Sequence, residues 1–147
     1  MMDITETGDL YEEVLCGCKI AQAAIEMLLR RAEEDELRYD LQRLLNRYRS
    51  LHGRATQGLT RIGRKGAKLS TYIPRTGNCI QVYWKTLFDR SPQNVAHIII
   101  RGFQTGEDEL SDYQHKYVNA EYPAKQLCAD MLSMQKQEKA TFRKYLN

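Results

Sequence analysis

The stretch LRYDLQRLLNRYRSLHGRATQGLTRI, residues 37–62, decides the fold. Its apolar side chains return every three or four positions, which is typical of one face of an α-helix packed in a bundle. These positions are Leu37, Leu41, Leu44, Tyr48, Leu51, Ala55, Leu59 and Ile62. We therefore predict a long helix over residues 35–62.

The preceding residues repeat this pattern and predict a first helix over 9–32. Its apolar positions are Tyr11, Val14, Cys18, Ala21, Ile25, Leu28 and Ala32. Asp9 followed by Glu12 resembles a capping box, so we expect the helix to begin at Asp9. Only the polar cluster 33–36 separates the two helices, and so short a connection makes them antiparallel neighbours.

Two further helices are predicted after residue 90. Ser91 before Pro92 is a strong helix start and opens a helix over 91–117, and Pro123 opens another over 123–146. The apolar positions of the two helices are Val95, Ile98, Ile99, Phe103, Leu110, Tyr113, Tyr117, Leu127, Met131, Met134, Phe142 and Tyr145. Gly102 and Gly106 would let a neighbouring backbone approach closely.

Residues 63–90 carry no sustained helical pattern and predict a long crossover. A turn signal at 74–78 favours either a β-hairpin around it or a short helix at 82–88, of which we favour the helix. Four helices with a short first and a long second connection predict an all-α, ferritin-like antiparallel four-helix bundle. We expect residues 1–147 to form one domain, because 147 residues can bury an adequate core.

Three short motifs resemble those of a family of small bacterial ferritin-like proteins of unknown function. They are GRKGAK at 63–68, HIIIRG at 97–102 and FRKYL at 142–146. The segment 74–84 is longer than that family usually has, so the crossover would be elaborated here. The resemblance implies a bundle fold and implies no reaction.

A di-iron centre of the ferritin-like type needs one glutamate from each of two helices and a Glu-x-x-His pair from each of the others. The chain contains no Glu-x-x-His, and no glutamate lies between Leu37 and Thr105. We therefore expect no cofactor. The alternative is a degenerate site for iron, manganese or zinc, formed by Glu26, Glu109, His115 and Glu138.

Glu138 is the one acid of that set in a core position. A buried carboxylate needs a partner or a raised pKa, and we favour the interpretation that Glu138 instead reaches the edge of the bundle. His52 beside the second apolar stripe is interpreted as a packed or rim histidine. Cys16 and Cys18 would point about 200° apart on a helix, so with Cys79 and Cys128 they are interpreted as reduced, mostly buried thiols.

Charge is distributed unevenly along the chain. Residues 41–90 hold eleven Lys or Arg and one acid, whereas residues 1–40 hold four Lys or Arg and eleven acids. The basic segment is a candidate for binding nucleic acid or an anionic membrane surface, through Arg43, Arg47, Arg54, Arg61, Arg64, Lys65 and Lys68. We favour the alternative that the bundle pairs these cations with its own acids, such as Glu12, Glu13 and Glu26, or with those of another subunit.

Taken together, the sequence predicts a binding or structural module rather than an enzyme. We expect a homo-oligomer, because bundles often pair through helix faces and the crossover is rich in aromatic residues. No apolar run approaches the roughly 20 residues that cross a bilayer. The first residues are acidic and polar, unlike a secretory signal, so we expect a cytoplasmic protein.

Overall fold

The computed structural model describes residues 3–64 and 89–146, and this part of the chain is helical without any strand. It contains α1 (Ile4–Arg31), α2 (Asp35–Arg61), α3 (Pro92–Lys116) and α4 (Tyr122–Phe142), and a 3₁₀ turn (Arg143–Leu146) follows α4. The predicted all-α class is confirmed. None of these helices is both long enough and apolar enough to cross a membrane.

α1 begins five residues before its predicted start. Asp3 is the N-cap, and its Oδ1 accepts hydrogen bonds from the backbone N–H groups of Thr5 at 2.8 Å and Glu6 at 3.2 Å. The prediction that Asp9 caps the helix is therefore wrong. Asp9 lies inside α1, where its carboxylate faces Arg64.

Contacts with a distant part of the chain hold the early start of α1. The Asp3 N–H donates to the Asn119 carbonyl at 2.8 Å. Thr7 is buried, and its hydroxyl accepts from the Glu121 N–H at 2.8 Å. These bonds tie the first turns of α1 to the connection between α3 and α4, which no local sequence signal reveals.

The predicted apolar stripes form the core. Seven of the eight stripe residues of α2 are buried, and the eighth, Ile62, packs half-buried against them. The stripe of α4 is buried as predicted from Leu127 to Phe142, but there the α-helix gives way to the 3₁₀ turn. The turn signal at 74–78 and the short helix or hairpin predicted near it lie outside the described residues.

Contacts at the helix ends show how α1, α2 and α3 are placed. Arg64, just after α2, donates to the Thr5 carbonyl at the start of α1. Arg90, just before α3, bonds to Glu33, which lies just beyond the end of α1. The end of α2 and the start of α3 therefore lie at opposite ends of α1.

Two glycines of α2 differ in what surrounds them. The Tyr11 ring lies where a side chain on Gly58 would be, whereas a Cβ on Gly53 would meet nothing within 4 Å. We expect Gly58→Ala to destabilise the protein, because overpacking costs about 1–3 kcal/mol against a gain in helix propensity of about 1 kcal/mol. Gly53→Ala should stabilise it by up to about 1 kcal/mol. Urea unfolding of both variants measures the difference, and equal effects would contradict this packing.

Candidate functional site

Two carboxylates are buried where α2 meets α4. Asp40 of α2 is 2% exposed and Glu138 of α4 is 1% exposed. The interpretation that Glu138 reaches the edge of the bundle is therefore wrong. A carboxylate at such depth is costly unless a cation and hydrogen bonds compensate it, so its surroundings decide what it can do.

Arg43 joins the two carboxylates. Its Nη2 and Nε atoms lie 2.6 Å and 3.1 Å from the two oxygens of Glu138, which is a two-point guanidinium–carboxylate pair. Its Nη1 lies 2.5 Å from Oδ1 of Asp40. Arg47, one turn further along α2, approaches Glu138 at 3.4 Å and bonds to the Gln137 amide oxygen at 3.0 Å.

The second oxygen of Asp40 is bonded by the end of the chain. The Tyr145 hydroxyl donates to Oδ2 at 2.5 Å, and the Lys144 ammonium lies 2.8 Å from the same atom. Lys144 also pairs with Glu36 at 2.9 Å. We call the six charged residues Glu36, Asp40, Arg43, Arg47, Glu138 and Lys144, together with Tyr145, the carboxylate–arginine network.

The network balances three acids with three cations, and this balance appears in the pKa values of its members. Burial alone would raise the pKa of Asp40, but hydrogen bonds from Lys144, Tyr145 and Arg43 outweigh it and lower that pKa below its usual value. Burial and the bond to Asp40 raise the pKa of Tyr145. Asp40 is therefore an ionised acceptor and Tyr145 a neutral donor at physiological pH.

The structure does not bring together the four residues of the predicted degenerate metal site. Glu26 is exposed on α1 and faces Arg49 at 3.7 Å, and Glu109 is exposed on α3. His115 is exposed, with Nδ1 2.8 Å from the Ser111 carbonyl oxygen. Across residues 3–64 and 89–146, no three His, Cys, Asp or Glu side chains are grouped so that they could hold a metal ion.

The histidine and the cysteines follow their predicted structural roles. His52 is half-buried and its Nδ1 lies 2.8 Å from the Gln22 amide nitrogen. Cys16, Cys18 and Cys128 are buried free thiols, and burial raises the pKa of Cys18 to about 12. A thiol with that pKa is protonated at neutral pH and is a poor nucleophile. Cys79 lies outside the described residues.

The arginines of the predicted anion-binding set pair with acids of the same chain. Arg54 contacts Asp130 of α4 at 2.8 Å, and Arg61 contacts Glu121 just before α4. Arg64 reaches Asp9 at 3.1 Å and Glu12 at 3.0 Å on α1. Arg43 and Arg47 belong to the network described above. Lys65 and Lys68 lie outside the described residues.

These pairs identify α4 as the main partner of the α2 arginines in the predicted anion-binding set. The sequence pointed instead to acids of the first helix, of which Glu12 contacts Arg64 and Glu26 contacts Arg49. An anionic ligand at this surface would have to compete with the carboxylates that already face these arginines.

An apolar pocket of about 300 Å³ opens between α1 and α3. Small residues of both helices line it, among them Gly17, Ala21, Ala24 and Gly102. The sequence predicted that Gly102 would receive a neighbouring backbone, but a Cβ there would meet nothing within 4 Å. The space beside Gly102 is part of the pocket instead.

Gln135 of α4 gives the pocket a polar wall. It is 3% exposed, and its Nε2 donates to the hydroxyl oxygen of the buried Tyr48 at 3.2 Å. Its Oε1 is buried without a hydrogen-bond partner. The amide lies against α3 at Gly106, where a Cβ would overlap it. Sequence reasoning missed Gln135, because it is a polar residue beside the predicted stripe of α4 and carries no recognisable motif.

Removing Arg43 should destabilise the protein strongly. Arg43→Met leaves two buried carboxylates without their main partner, which costs about 3–5 kcal/mol. Arg54→Met is the matched control, because Arg54 and Asp130 are both about two-fifths exposed and such surface pairs contribute about 0–1 kcal/mol. Chemical unfolding of both variants measures the costs, and similar small losses would contradict a structural role for the network.

Stability should fall in acid through Asp40. Its pKa is lowered in the folded state, so the unfolded chain takes up the proton first, near the usual Asp pKa of about 3.9. The stabilisation from Asp40 is thus present above about pH 4 and is lost as pH falls further. Asp40→Asn should be less stable at pH 7 and should lose less stability between pH 5 and pH 2. Parallel unfolding profiles of variant and wild type would contradict this.

Comparison of the chain with protein-family models, curated proteins and solved structures finds no match. The ferritin-like resemblance therefore stays a prediction, and the geometry of the network and the pocket carries the functional argument.

Proposed function

We propose that this chain is a ferritin-like antiparallel four-helix bundle that works as a metal-independent binding module. The observation that carries the proposal is the two-point pair of Arg43 with Glu138, supported by the pocket between α1 and α3. Placement of the end of α2 and the start of α3 at opposite ends of α1 supports a long crossover between them. Three buried free cysteines fit a reducing compartment, which supports the predicted cytoplasmic location.

The carboxylate–arginine network argues against metal-dependent chemistry at the two buried carboxylates, Asp40 and Glu138. A metal ligand must give its oxygen lone pairs to the ion, but the oxygens of Asp40 and Glu138 accept from Arg43 and its neighbours. Three cations around these oxygens would also repel a divalent ion. We infer that the network stabilises the bundle and holds α2 and α4 together.

Self-association, which the sequence predicted, has one supporting feature. Ile4, Val118 and Tyr122 are 68%, 58% and 71% exposed. They lie at one end of the protein, because the bond from Asp3 to Asn119 joins the start of α1 to the connection between α3 and α4. We propose that these three residues, the apolar end, contact another subunit, since clustered exposed apolar residues commonly mark protein interfaces.

Metal analysis tests the proposed metal independence. Mass spectrometry of protein purified without affinity metal should find iron, manganese and zinc far below one equivalent. Glu138→Gln should not change the content, and Glu109→Gln, which alters the exposed acid of the predicted set, is the matched control. Near-stoichiometric metal that is lost in Glu138→Gln would overturn the proposal.

Sedimentation tests the apolar end. We expect wild-type protein to sediment as an oligomer and Val118→Asp to shift the equilibrium toward the monomer. Tyr39→Gln is the control, because Tyr39 is equally exposed, at 71%, but lies near the start of α2. A monomeric wild type, or equal effects of the two substitutions, would contradict the proposed interface.

A further inference from the structure

We infer that the pocket between α1 and α3 binds an elongated apolar molecule bearing one uncharged hydrogen-bond donor, such as a long-chain alcohol. The donor bonds to Oε1 of Gln135. This site assignment rests on the binding role proposed above and adds to it the chemical class of the ligand.

The shape of the pocket selects an elongated molecule. Its lining on α1 extends from Glu13 to Leu28, and fifteen residues of helix span about 22 Å. The volume of about 300 Å³ lies at the lower end of the range for small-molecule sites. A narrow, long space of this kind accommodates an alkyl chain better than a compact ring system.

The walls of the pocket are mainly apolar. Ile25, Leu44, Phe103 and Met131 face it from the four helices, and the glycines and alanines of α1 and α3 keep it open. Burying an alkyl chain here removes apolar area from water, which is favourable in proportion to the area buried. This term supplies affinity and does not distinguish one head group from another.

Gln135 distinguishes one ligand head group from another. Its Nε2 already donates one of its two hydrogens to Tyr48, whereas Oε1 has no hydrogen-bond partner at all. A buried acceptor without a hydrogen-bond partner is destabilising. A ligand hydroxyl or N–H recovers that cost, whereas a hydrocarbon or an ether leaves it in place.

Gln135, rather than the charge at the rim of the pocket, selects the head group. Arg101 and Glu109 are exposed residues of that rim, and Glu13 is half-buried there. Lys116 interacts with Glu13, so both signs of charge are present and the rim does not favour an anion. A carboxylate also has no proton to donate to Oε1. The favoured head group is therefore uncharged and carries an O–H or N–H.

Displacement of an apolar dye tests the assignment on the whole chain of 147 residues. Nile red is bound first and is then displaced with 1-dodecanol, dodecyl methyl ether or dodecanoate. We expect the alcohol to bind about tenfold more tightly than the ether, the ratio that corresponds to one recovered hydrogen bond. Dodecanoate should bind more weakly than the alcohol.

Two variants and one control variant connect the result to the pocket. Gln135→Met keeps the size of the side chain and removes the acceptor, so it should retain dye binding and lose the preference for the alcohol. Gln137→Met, an exposed neighbour on α4 that contacts Arg47, should keep that preference. Gly102→Leu places a side chain where the pocket is open and should weaken the binding of dye and alcohol alike, with an unchanged circular dichroism spectrum.

The outcomes separate the assignment from the broader proposal. Absence of dye binding to folded wild type, or dye binding unaffected by Gly102→Leu, would overturn both this assignment and the binding role. Equal affinities for alcohol and ether, with binding still lost in Gly102→Leu, would overturn only the donor assignment. Tighter binding of the ether would overturn it as well, because the amide would then present its N–H group.

Discussion

The two-point pair between Arg43 and Glu138 is the contact on which the register of α2 against α4 depends. The buried carboxylate of Glu138 needs a cation, and the Arg43 guanidinium supplies it through two hydrogen bonds. Eighteen residues separate Arg43 from Arg61, and seventeen separate Glu138 from Glu121. Because helices rise equally per residue, the ion pair at one end brings the other end into contact. The buried Arg43–Glu138 pair thus sets the register of α2 against α4 along their whole length. The exposed ion pairs between these helices add little stability of their own.

The helices could be predicted because their apolar residues follow a local pattern. The contacts between helices could not, because they join residues that are far apart in the sequence. The stripes from Leu37 to Leu59 required only the period of the helix. The partner of Glu138 lies 95 residues away, and no spacing rule connects the two. The start of α1 was missed for the same reason, since the bond from Thr7 to Glu121 bridges 114 residues. The sequence did contain one useful signal, which was the acid Glu138 within the apolar stripe of α4. We interpreted it as a residue at the edge of the bundle, whereas it indicated a buried acid with a buried partner.

Gly58 of α2 and Gly106 of α3 make room for side chains rather than for neighbouring backbones. The Tyr11 ring occupies the space at Gly58, and the Gln135 amide occupies the space at Gly106. Each glycine costs helix propensity of about 1 kcal/mol, which burial of the incoming side chain offsets. The sequence shows a glycine within a helical stripe but not which side chain fills the gap, and this is why the polar wall of the pocket could not be predicted.

The network and one wall of the pocket lie on the same two helices, α2 and α4. Gln135 precedes Glu138 by three residues on α4, and Tyr48 follows Arg47 directly on α2. The ion pairs that hold α2 against α4 therefore also hold the Gln135–Tyr48 pair before any ligand arrives. Binding to a preformed acceptor avoids the cost of ordering it. The far side of the pocket is formed by α1 and α3, whose small facing residues leave the space open. The pocket therefore has one polar wall held by ion pairs and one open apolar side, and this arrangement favours a ligand-binding role. The buried carboxylates do not take part in that role, because cations already bond to them.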